Sequence, residues 1–546
     1  MTPSSAHLVI ALVLLPLVTA ALMLLMGEGR RPAKAIVNVL STAAGLAIAV
    51  MLLLGVIESE APAAFSVYLT GNWPVPFGIV LVADRLSALM SVLTGCVGIA
   101  ALLFALARWQ HAGVYFHALF QLQLMGLYGA FLTADLFNLF VFFEVFLAAS
   151  YGLLLHGGGG KRVRAGLHYI AINLMASLLF LIGVAVIYGV TGTLNMADIA
   201  EKISLIPDGD RGLLHAGAAI LAIAFLAKAG LLPLNFWLPP AYAAASAPAA
   251  AMFSILTKVG VYAVLRLWTL CFPADAGASA GFGGEALVWG GIATLGLGAL
   301  GMLGSHHLAR LASYAVIVSS GTFIGVMGFG STALTGGALY YLASSTLAGC
   351  ALFLLVELLE RTRQIEVGPQ HLDDGRQALP SFQDIDPPPG INLDDDRVAL
   401  IGRPMPAALV ILGLAFAALA LVTAGLPPLS GFIGKLAMLT ALLELGTQTA
   451  WMLFALLLLS GLCGAIGLMR IGVRHFWITQ DQPSPHLRLI ETLPIAALLA
   501  GIMLMVGFAE PLMREAQATA ESLQTPRLYI EAVMSTRPVG AEEAAP

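Results

Sequence analysis

The sequence predicts an all-α, polytopic membrane protein. Of its 546 residues, 59% are hydrophobic and only 10% are charged, against about 25% charged in soluble domains. Apolar runs of the roughly 20 residues that cross a bilayer recur along most of the chain. Two of these runs are broken by glycine and proline close to a lysine. Together these observations exclude a soluble fold and favour a helical bundle with ionisable groups inside it.

Length and hydropathy predict about fourteen membrane-spanning helices. Their approximate ranges are 7–26, 34–56, 84–107, 115–133, 136–155, 167–190, 214–236, 247–269, 286–304, 308–329, 333–358, 405–446, 449–472 and 491–510. The first lacks a basic leader and a clear cleavage site, so it is interpreted as a span and not as a signal peptide. The twelfth is too long for one straight span, and Gly425, Pro427 and Pro428 predict a break within it.

The distribution of Lys and Arg in the short loops predicts the orientation of the bundle. With fourteen spans, the basic loops all fall on one side and carry Arg30, Arg31, Lys34, Lys161, Arg162, Arg164, Arg310, Arg470 and Arg474. The loops after the second and sixth spans are acidic and fall on the other side. Because positively charged loops stay in the cytoplasm, both termini are expected to be extracytoplasmic.

Three segments lie outside the spans. Residues 57–83 predict an extracytoplasmic loop with a short hairpin, and 361–403 predicts a polar cytoplasmic loop, partly extended or disordered. The tail, 511–546, is expected to be amphipathic and then disordered. Asp135 is expected to cap the fifth helix.

A short internal repeat accompanies the two breaks. The run AGLLPL at 229–234 recurs as AGLPPL at 424–429. In the first copy, Gly230 and Pro233 follow Lys228, so its helix is expected to break close to the ammonium group. Paired proline-interrupted spans in two halves of a chain indicate a transport site.

Four ionisable residues lie within apolar spans: Glu144, Lys228, Lys258 and Lys435. Charged groups inside a membrane usually face an interior cavity and have a function. The structural alternatives are a salt bridge between Glu144 and Lys228 that only pins helices together, a purely structural Lys258, and a Lys435 that reaches an interface. A Glu144–Lys228 pair that a nearby proton could break would serve as a switch.

This composition favours proton transfer over metal-ion binding. Buried lysines can take up and release protons, whereas they repel metal cations and offer no oxygen ligands. The four cysteines are scattered through apolar spans, and the glycine run at 157–160 lacks the Lys-Ser/Thr of a phosphate loop. We therefore expect no metal and no cofactor, and the net charge of −5 argues against nucleic acid as a partner.

The sequence resembles the antiporter-like subunits shared by respiratory complex I, membrane-bound hydrogenases and Mrp-type multisubunit cation/proton antiporters. VFFEVFLAASYGLLL is similar to the family's helix-5 glutamate motif, and FLAKAGLLPLNFWLPPAY to its helix-7 lysine motif. LTKVGVYAVLR and GLPPLSGFIGK resemble the helix-8 lysine and the broken helix 12. The resemblance covers roughly 84–475, and GNWPVPFGIVLVADRLSALM points to the D-subunit branch of the Mrp type.

This resemblance implies a fourteen-helix fold with two inverted five-helix repeats and breaks in helices 7 and 12. The implied units are 1–114, the first repeat at 115–272, the second at 286–472, and 473–546 with the last helix and the tail. Glu144 and Lys228 would form the switching pair, Lys258 the relay, and Lys435 the site of proton exit or uptake in the second half. Implied partners are subunits A, B, C, E, F and G in a bacterial inner membrane, with exchange of Na⁺ or K⁺ for H⁺.

The chain departs from its relatives in helix 11, where many of them carry histidine. Here the helix offers hydroxyl groups instead, so the relay between Lys258 and Lys435 is assigned with water to Tyr340, Tyr341, Ser344, Ser345 and Thr346. Two other functions stay open. One is a pumping subunit of a redox-driven respiratory complex, and the other is a membrane scaffold that transports nothing.

Overall fold

The computed structural model describes residues 3–27, 29–59, 65–364, 407–476 and 487–539. The helices in these ranges are α1 (Pro3–Leu25), α2 (Arg31–Glu58), α3 (Arg85–Leu106), α4 (Phe116–Leu132), α5 (Leu136–Leu155), α6 (Gly160–Thr191), α7 (Met196–Ile203), α8 (Asp208–Ala229), α9 (Leu238–Ala244), α10 (Ala247–Cys271), α11 (Gly284–Gly304), α12 (Leu308–Met327), α13 (Thr332–Gln364), α14 (Ala407–Ala424), α15 (Ser430–Leu445), α16 (Gln448–Phe476), α17 (Leu489–Gly507), α18 (Ala509–Leu523) and α19 (Pro526–Met534).

The fourteen predicted spans are confirmed. Within the described ranges, thirteen helices are long and apolar enough to cross a membrane, and the shorter apolar helix α4 is the fourteenth. The predicted twelfth span is α14 followed by α15. The chain is thus a multi-pass membrane protein.

Two predicted boundaries differ from the structure, and a glycine cap explains the first of them. The sequence predicts a seventh span up to 236, but α8 ends at Ala229, and Gly230 has a left-handed backbone with φ +73°. At the other site, α13 continues to Gln364, so the loop expected from 361 begins later. The rest of the predicted loop 361–403 lies outside the described residues.

The predicted hairpin is present between α2 and α3. Strand β1 (Ser66–Leu69) pairs antiparallel with β2 (Val80–Ala83), with Ser66 opposite Ala83. Asp84 then caps α3: its carboxylate accepts from the Ser87 amide at 2.9 Å, and its own amide donates to the Ser87 hydroxyl at 2.8 Å. The predicted cap of α5 is likewise present, since Asp135 accepts from the Asn138 amide at 2.7 Å.

The tail is more ordered than the sequence indicates. Residues up to 539 include α18 and α19, which pack on the side of the bundle that carries the hairpin. Asn72 in the hairpin and Val539 exchange two hydrogen bonds of 3.0 and 2.7 Å. The amphipathic helices α18 and α19 are therefore docked on the bundle, with their apolar faces buried. Residues 540–546 lie outside the described residues.

Helix α10 forms the centre of the molecule. Its most apolar 18-residue window is entirely buried, and it contacts α3, α8, α12 and α13. At Gly260 it lies so close to α8 that an added Cβ would be 2.6 Å from the Phe225 carbonyl oxygen. This close approach places Lys258 of α10 beside the helix that carries Lys228.

Candidate functional site

Glu144 and Lys228 are brought together by a third side chain. The Ser177 hydroxyl, on α6, donates to Glu144 Oε1, and Lys228 Nζ donates to Ser177 Oγ at 3.0 Å. Lys228 is buried and its Nζ also lies 5.0 Å from the centre of the Phe143 ring. Glu144 is only half-buried. The three residues form a hydrogen-bonded chain from the bundle surface to its interior.

The salt bridge between Glu144 and Lys228, given above as the structural alternative, is not formed in this conformation. No carboxylate oxygen of Glu144 lies within 4.0 Å of Lys228 Nζ among the contacts of the described residues. Ser177 occupies the space between them because α5 and α8 both pack against α6. A hydroxyl can donate and accept at once, so the proton connection is kept while the charges stay apart.

The two predicted helix breaks have the same backbone geometry. After α8, the Leu231 amide donates to the Leu226 carbonyl at 3.0 Å across the left-handed Gly230. After α14, the Leu426 amide donates to the Leu421 carbonyl at 2.9 Å across Gly425, whose φ is +73°. This is the pattern of a Schellman cap. Pro233 and Pro428 follow, each after a cis peptide bond, so the six-residue sequence repeat is also a structural repeat.

Lys258 is held by serines from two other helices. Its Nζ donates to Ser319 Oγ of α12 at 2.5 Å, and Ser319 Oγ lies 3.0 Å from Ser345 Oγ of α13. Lys258 is 2% exposed. Lys258 is therefore linked to the Ser345 hydroxyl of α13 through Ser319.

Lys435 is held at the second break. Its Nζ donates to the Ala424 carbonyl at 2.9 Å, an oxygen freed where α14 ends, and lies 6.0 Å from the centre of the Tyr341 ring. Ser430 lies in the first turn of the same helix, α15, and its Oγ atom is 2.7 Å from the Oγ atom of Ser344. The structural alternative for Lys435, contact with an interface, is not observed, because the side chain is buried.

The five predicted relay residues of α13 divide into three groups. Ser345 faces the Lys258 side, whereas Ser344 and Tyr341 face the Lys435 side. Tyr340 donates to the Met505 carbonyl at 2.7 Å, and the Thr346 hydroxyl donates to the Leu342 carbonyl of its own helix at 2.7 Å. The Tyr340 contact joins α13 to α17, whereas the Thr346 contact lies within α13. The adjacent pair Ser344–Ser345 thus stands between the two halves.

Sequence reasoning missed three hydroxyl groups of this array: Ser177, Ser319 and Ser430. Serine is common in membrane helices, so its presence alone is a weak signal. Only the neighbouring helix shows that Ser177 faces Glu144, and a sequence does not display pairing between distant helices. The Ser319–Ser320 pair lies in the run VIVSSG, where the absence of a histidine is the more conspicuous feature.

A second charged cluster, which the sequence did not reveal, lies at the helix ends that are joined by the basic loops. Arg361 of α13 contacts Glu357, and donates to Glu491 of α17 at 2.5 Å. Trp109 Nε1 donates to the Glu357 carboxylate at 2.8 Å. Nearby, His156 Nε2 lies 2.8 Å from the Trp109 carbonyl, and burial lowers the pKa of His156 below its ordinary value. The ring is therefore neutral near pH 7.

Within the described ranges, no group of three or more His, Cys, Asp or Glu side chains is arranged to hold a metal ion. The four cysteines are free thiols. What the array does offer is one carboxylate, three buried ammonium groups and linking hydroxyls. Such groups can accept, hold and pass protons.

The fold and the buried Glu/Lys array define a membrane protein of the antiporter-like class. Residues 133–374 match the family described as NADH:quinone oxidoreductase/Mrp antiporter, transmembrane. The fold is similar to a chain of the Mrp complex from Dietzia sp. DQ12-45-1b, with a TM-score of 0.80 at 24% identity over 98% of this chain and 100% of that one. It is also similar to a chain of respiratory complex I from Thermus thermophilus, with a TM-score of 0.74 at 25% identity over 95% and 99%.

Curated relatives are similar over their full length. The D-subunit of a probable K(+)/H(+) antiporter from Rhizobium meliloti (strain 1021) is 47% identical over 99% of this chain and 100% of the relative. The D-subunit of a Na(+)/H(+) antiporter from Alkalihalophilus pseudofirmus is 33% identical over 97% and 99%. The chain belongs to the family of antiporter D-subunits.

Proposed function

We propose that this chain is the proton-translocating subunit of a multisubunit monovalent cation/proton antiporter. The observation that carries the proposal is a set of ionisable groups with hydroxyl partners inside the bundle: Glu144–Ser177–Lys228 and Lys258–Ser319–Ser345, with Ser344–Ser430 on the two helices that carry Ser345 and Lys435. A purely structural set of lysines would not require hydroxyl links in series. Full-length relatives are named as antiporter subunits, which favours this function over a redox-driven pump.

The proposed mechanism assigns each residue a step. Glu144 accepts a proton at the half-buried end of the first chain and becomes neutral, so its attraction for the Lys228 ammonium group is lost and Lys228 can release its own proton toward Lys258. Ser177 then passes the proton of Glu144 to the neutral Lys228 amine, which restores the carboxylate and the ammonium group. Ser319, Ser345 and Ser344 then connect Lys258 with the second half, where Lys435 releases the proton at the break after α14. The units 115–272 and 286–472 would be the two half-paths.

The finer assignments extend this proposal. The antiporter would lie in a bacterial inner membrane, with subunits A, B, C, E, F and G as partners. The relative with 47% identity is named for K⁺ and those with 33% for Na⁺, so we propose K⁺ as the first cation to test and Na⁺ as the second. A lipid bilayer surrounds the bundle, and the driving force is an ion gradient, not a reaction catalysed by this chain.

The test uses everted membrane vesicles that contain all the subunits of the complex. Added K⁺ or Na⁺ should collapse a preformed pH gradient with the wild type, and Lys228→Ala should abolish the response. Lys202→Ala is the matched control, because Lys202 is a surface lysine paired with Asp198. An assembled Lys228→Ala complex that responds like the wild type would favour the scaffold alternative. A wild type that ignores both cations would favour the redox-driven alternative.

A further inference from the structure

A large cavity lies at the basic ends of the helices, outside the proton array. Its volume is about 1300 Å³, more than the roughly 300–1,000 Å³ of a typical small-molecule site. The cationic side chains that line it are Arg108, Lys161, Arg162, Arg164, Arg310 and Arg361, against the acidic Glu357 and Glu360. Lys161, Arg164 and Arg310 are exposed and form no salt bridge with a described residue. The cavity therefore has a surplus of positive charge.

Two helices begin at this cavity, and neither has a side-chain cap. Helix α6 starts after Gly159, and α10 starts after Ser246, with no hydrogen bond from a capping side chain in either case. The first-turn amides of a helix have no partner within the helix and carry partial positive charge. Residues Gly159, Gly160, Ser246 and Ala247 all line the cavity. Both helix ends therefore favour an anion there.

Ser246 supplies an independent indication of a ligand. The residue lines the cavity and is 2% exposed, yet its hydroxyl has no hydrogen-bond partner among the described residues. A serine in this position normally caps its own helix. Here Pro248, at the second helical position, has no amide hydrogen to offer. A buried hydroxyl without a partner carries a free-energy cost, which a bound acceptor group would remove.

One edge of the cavity is apolar and exposed. Phe236 and Pro240 line it, and the Phe236 ring is 54% exposed. Ala243 and Phe353 continue this apolar wall. A cavity lined by basic groups and free helix amides together with exposed apolar groups matches an anionic amphiphile. A small, freely soluble anion would make no use of the apolar edge.

We propose that this cavity binds the phosphate group of an acidic phospholipid, with the glycerol and the first acyl carbons along the Phe236 edge. The phosphate is held by the α6 and α10 helix starts, the Ser246 hydroxyl, and the side chains of Lys161, Arg164 and Arg310. Ala250, in the cavity wall, lies eight residues before Lys258 on α10, or about 12 Å along the helix axis. A bound phosphate would thus place negative charge on the approach to the relay lysine.

The experiment measures lipid retention by the purified, fully assembled complex. After exchange into phosphatidylcholine nanodiscs doped with phosphatidylglycerol, native mass spectrometry counts the phosphatidylglycerol that stays bound. The triple variant Lys161→Gln, Arg164→Gln, Arg310→Gln should reduce retention about tenfold or more, since each Lys or Arg near an anionic headgroup contributes several-fold in affinity. The control triple Arg30→Gln, Arg31→Gln, Arg474→Gln removes the same charge from the same side, outside the cavity, and should change retention less than about twofold.

A second variant separates the site from general surface charge. Ala243→Trp keeps every charge and fills part of the cavity, so it should also lower retention. Equal retention by the wild type, the cavity triple and Ala243→Trp would overturn the proposal. Displacement of phosphatidylglycerol by millimolar inorganic phosphate would show that a free anion, not a lipid, is the natural occupant. These outcomes do not depend on antiport activity, so the site can fail while the proposed transport function stands.

Discussion

At the scale of single residues, the bridging position of Ser177 changes how the first half of the array works. A direct Glu144–Lys228 ion pair would hold two charges in contact, and transport would require breaking that contact. In the proposed mechanism the Ser177 hydroxyl donates to Glu144 while Lys228 is an ammonium group, and it can rotate to donate to Lys228 once that group is a neutral amine. The coupling of Glu144 to Lys228 then depends on the oxygen of Ser177 and not only on the distance between charges.

The variant Ser177→Ala tests this role. It removes the bridging hydroxyl and leaves both charged residues in place, so cation-dependent proton flux in everted vesicles should fall at least about tenfold, or about 1.4 kcal/mol in activation free energy. Ser177→Thr keeps a hydroxyl and should retain most of the flux. Ser91→Ala is the control, because Ser91 is a buried serine that donates only to the Ser87 carbonyl of its own helix. Wild-type flux in Ser177→Ala would show that the bridge is dispensable.

At the scale of helices, the two breaks place a lysine and free carbonyl groups inside the bundle. Only the second break has its lysine bound to a freed carbonyl, that of Ala424, among the contacts of the described residues. Membrane proteins tolerate non-helical backbone only where it is buried in protein or faces water. The glycine at each break permits the left-handed backbone that ends the helix, and at Gly425 the missing Cβ also makes room for Lys435.

The variant Gly425→Ala is predicted to disrupt the second half-path. An added Cβ would lie 2.5 Å from Lys435 Cδ and 2.9 Å from its Nζ, so the lysine would have to leave the Ala424 carbonyl. We expect loss of antiport together with a lower melting temperature of the complex. Gly330→Ala is the matched control, since Gly330 also has positive φ, +63°, but has open space around it. That variant should show only the backbone strain, about 1 kcal/mol, and normal transport.

Sequence alone predicts most of the elements, because span length, basic loops and proline breaks are local signals. Glu144, Lys228, Lys258 and Lys435 can be found for a similar reason, as charged residues stand out in apolar spans. The links between them cannot be found this way. Ser177, Ser319 and Ser430 differ from other membrane serines only in which residue on another helix they face. Tertiary packing likewise places Ser177 between Glu144 and Lys228, and it gives the α13 hydroxyls their different partners.

At the scale of the whole molecule, the hairpin side of the bundle is closed by contacts between distant parts of the chain. Arg266 of α10 donates to Asp84 at the start of α3, at 2.7 Å, and both side chains are buried. Tyr529 of the tail helix α19 covers the guanidinium group, whose carbon lies 5.1 Å from the ring centre. This pair joins the hairpin, the central helix and the tail.

Removing one partner of this buried pair should destabilise the protein. Arg266→Gln leaves the Asp84 carboxylate buried without its counter-ion, which typically costs about 3–5 kcal/mol. The melting temperature of the purified complex is the measurement. Arg514→Gln removes an arginine from an exposed pair with Glu510, where the expected loss is below about 1 kcal/mol. Similar small effects of both substitutions would mean that the Arg266–Asp84 contact does not hold the hairpin side together.

In the proposed mechanism, α13 joins two half-paths into one proton route through Ser344 and Ser345. The most direct measurement is cation-driven proton flux in everted vesicles containing the double variant Ser344→Ala, Ser345→Ala, compared with Tyr340→Phe on the same helix. We expect the double variant to assemble but to lose at least about nine-tenths of its flux, and Tyr340→Phe to keep its flux because that hydroxyl only binds the Met505 carbonyl. Wild-type flux in an assembled double variant would contradict this mechanism.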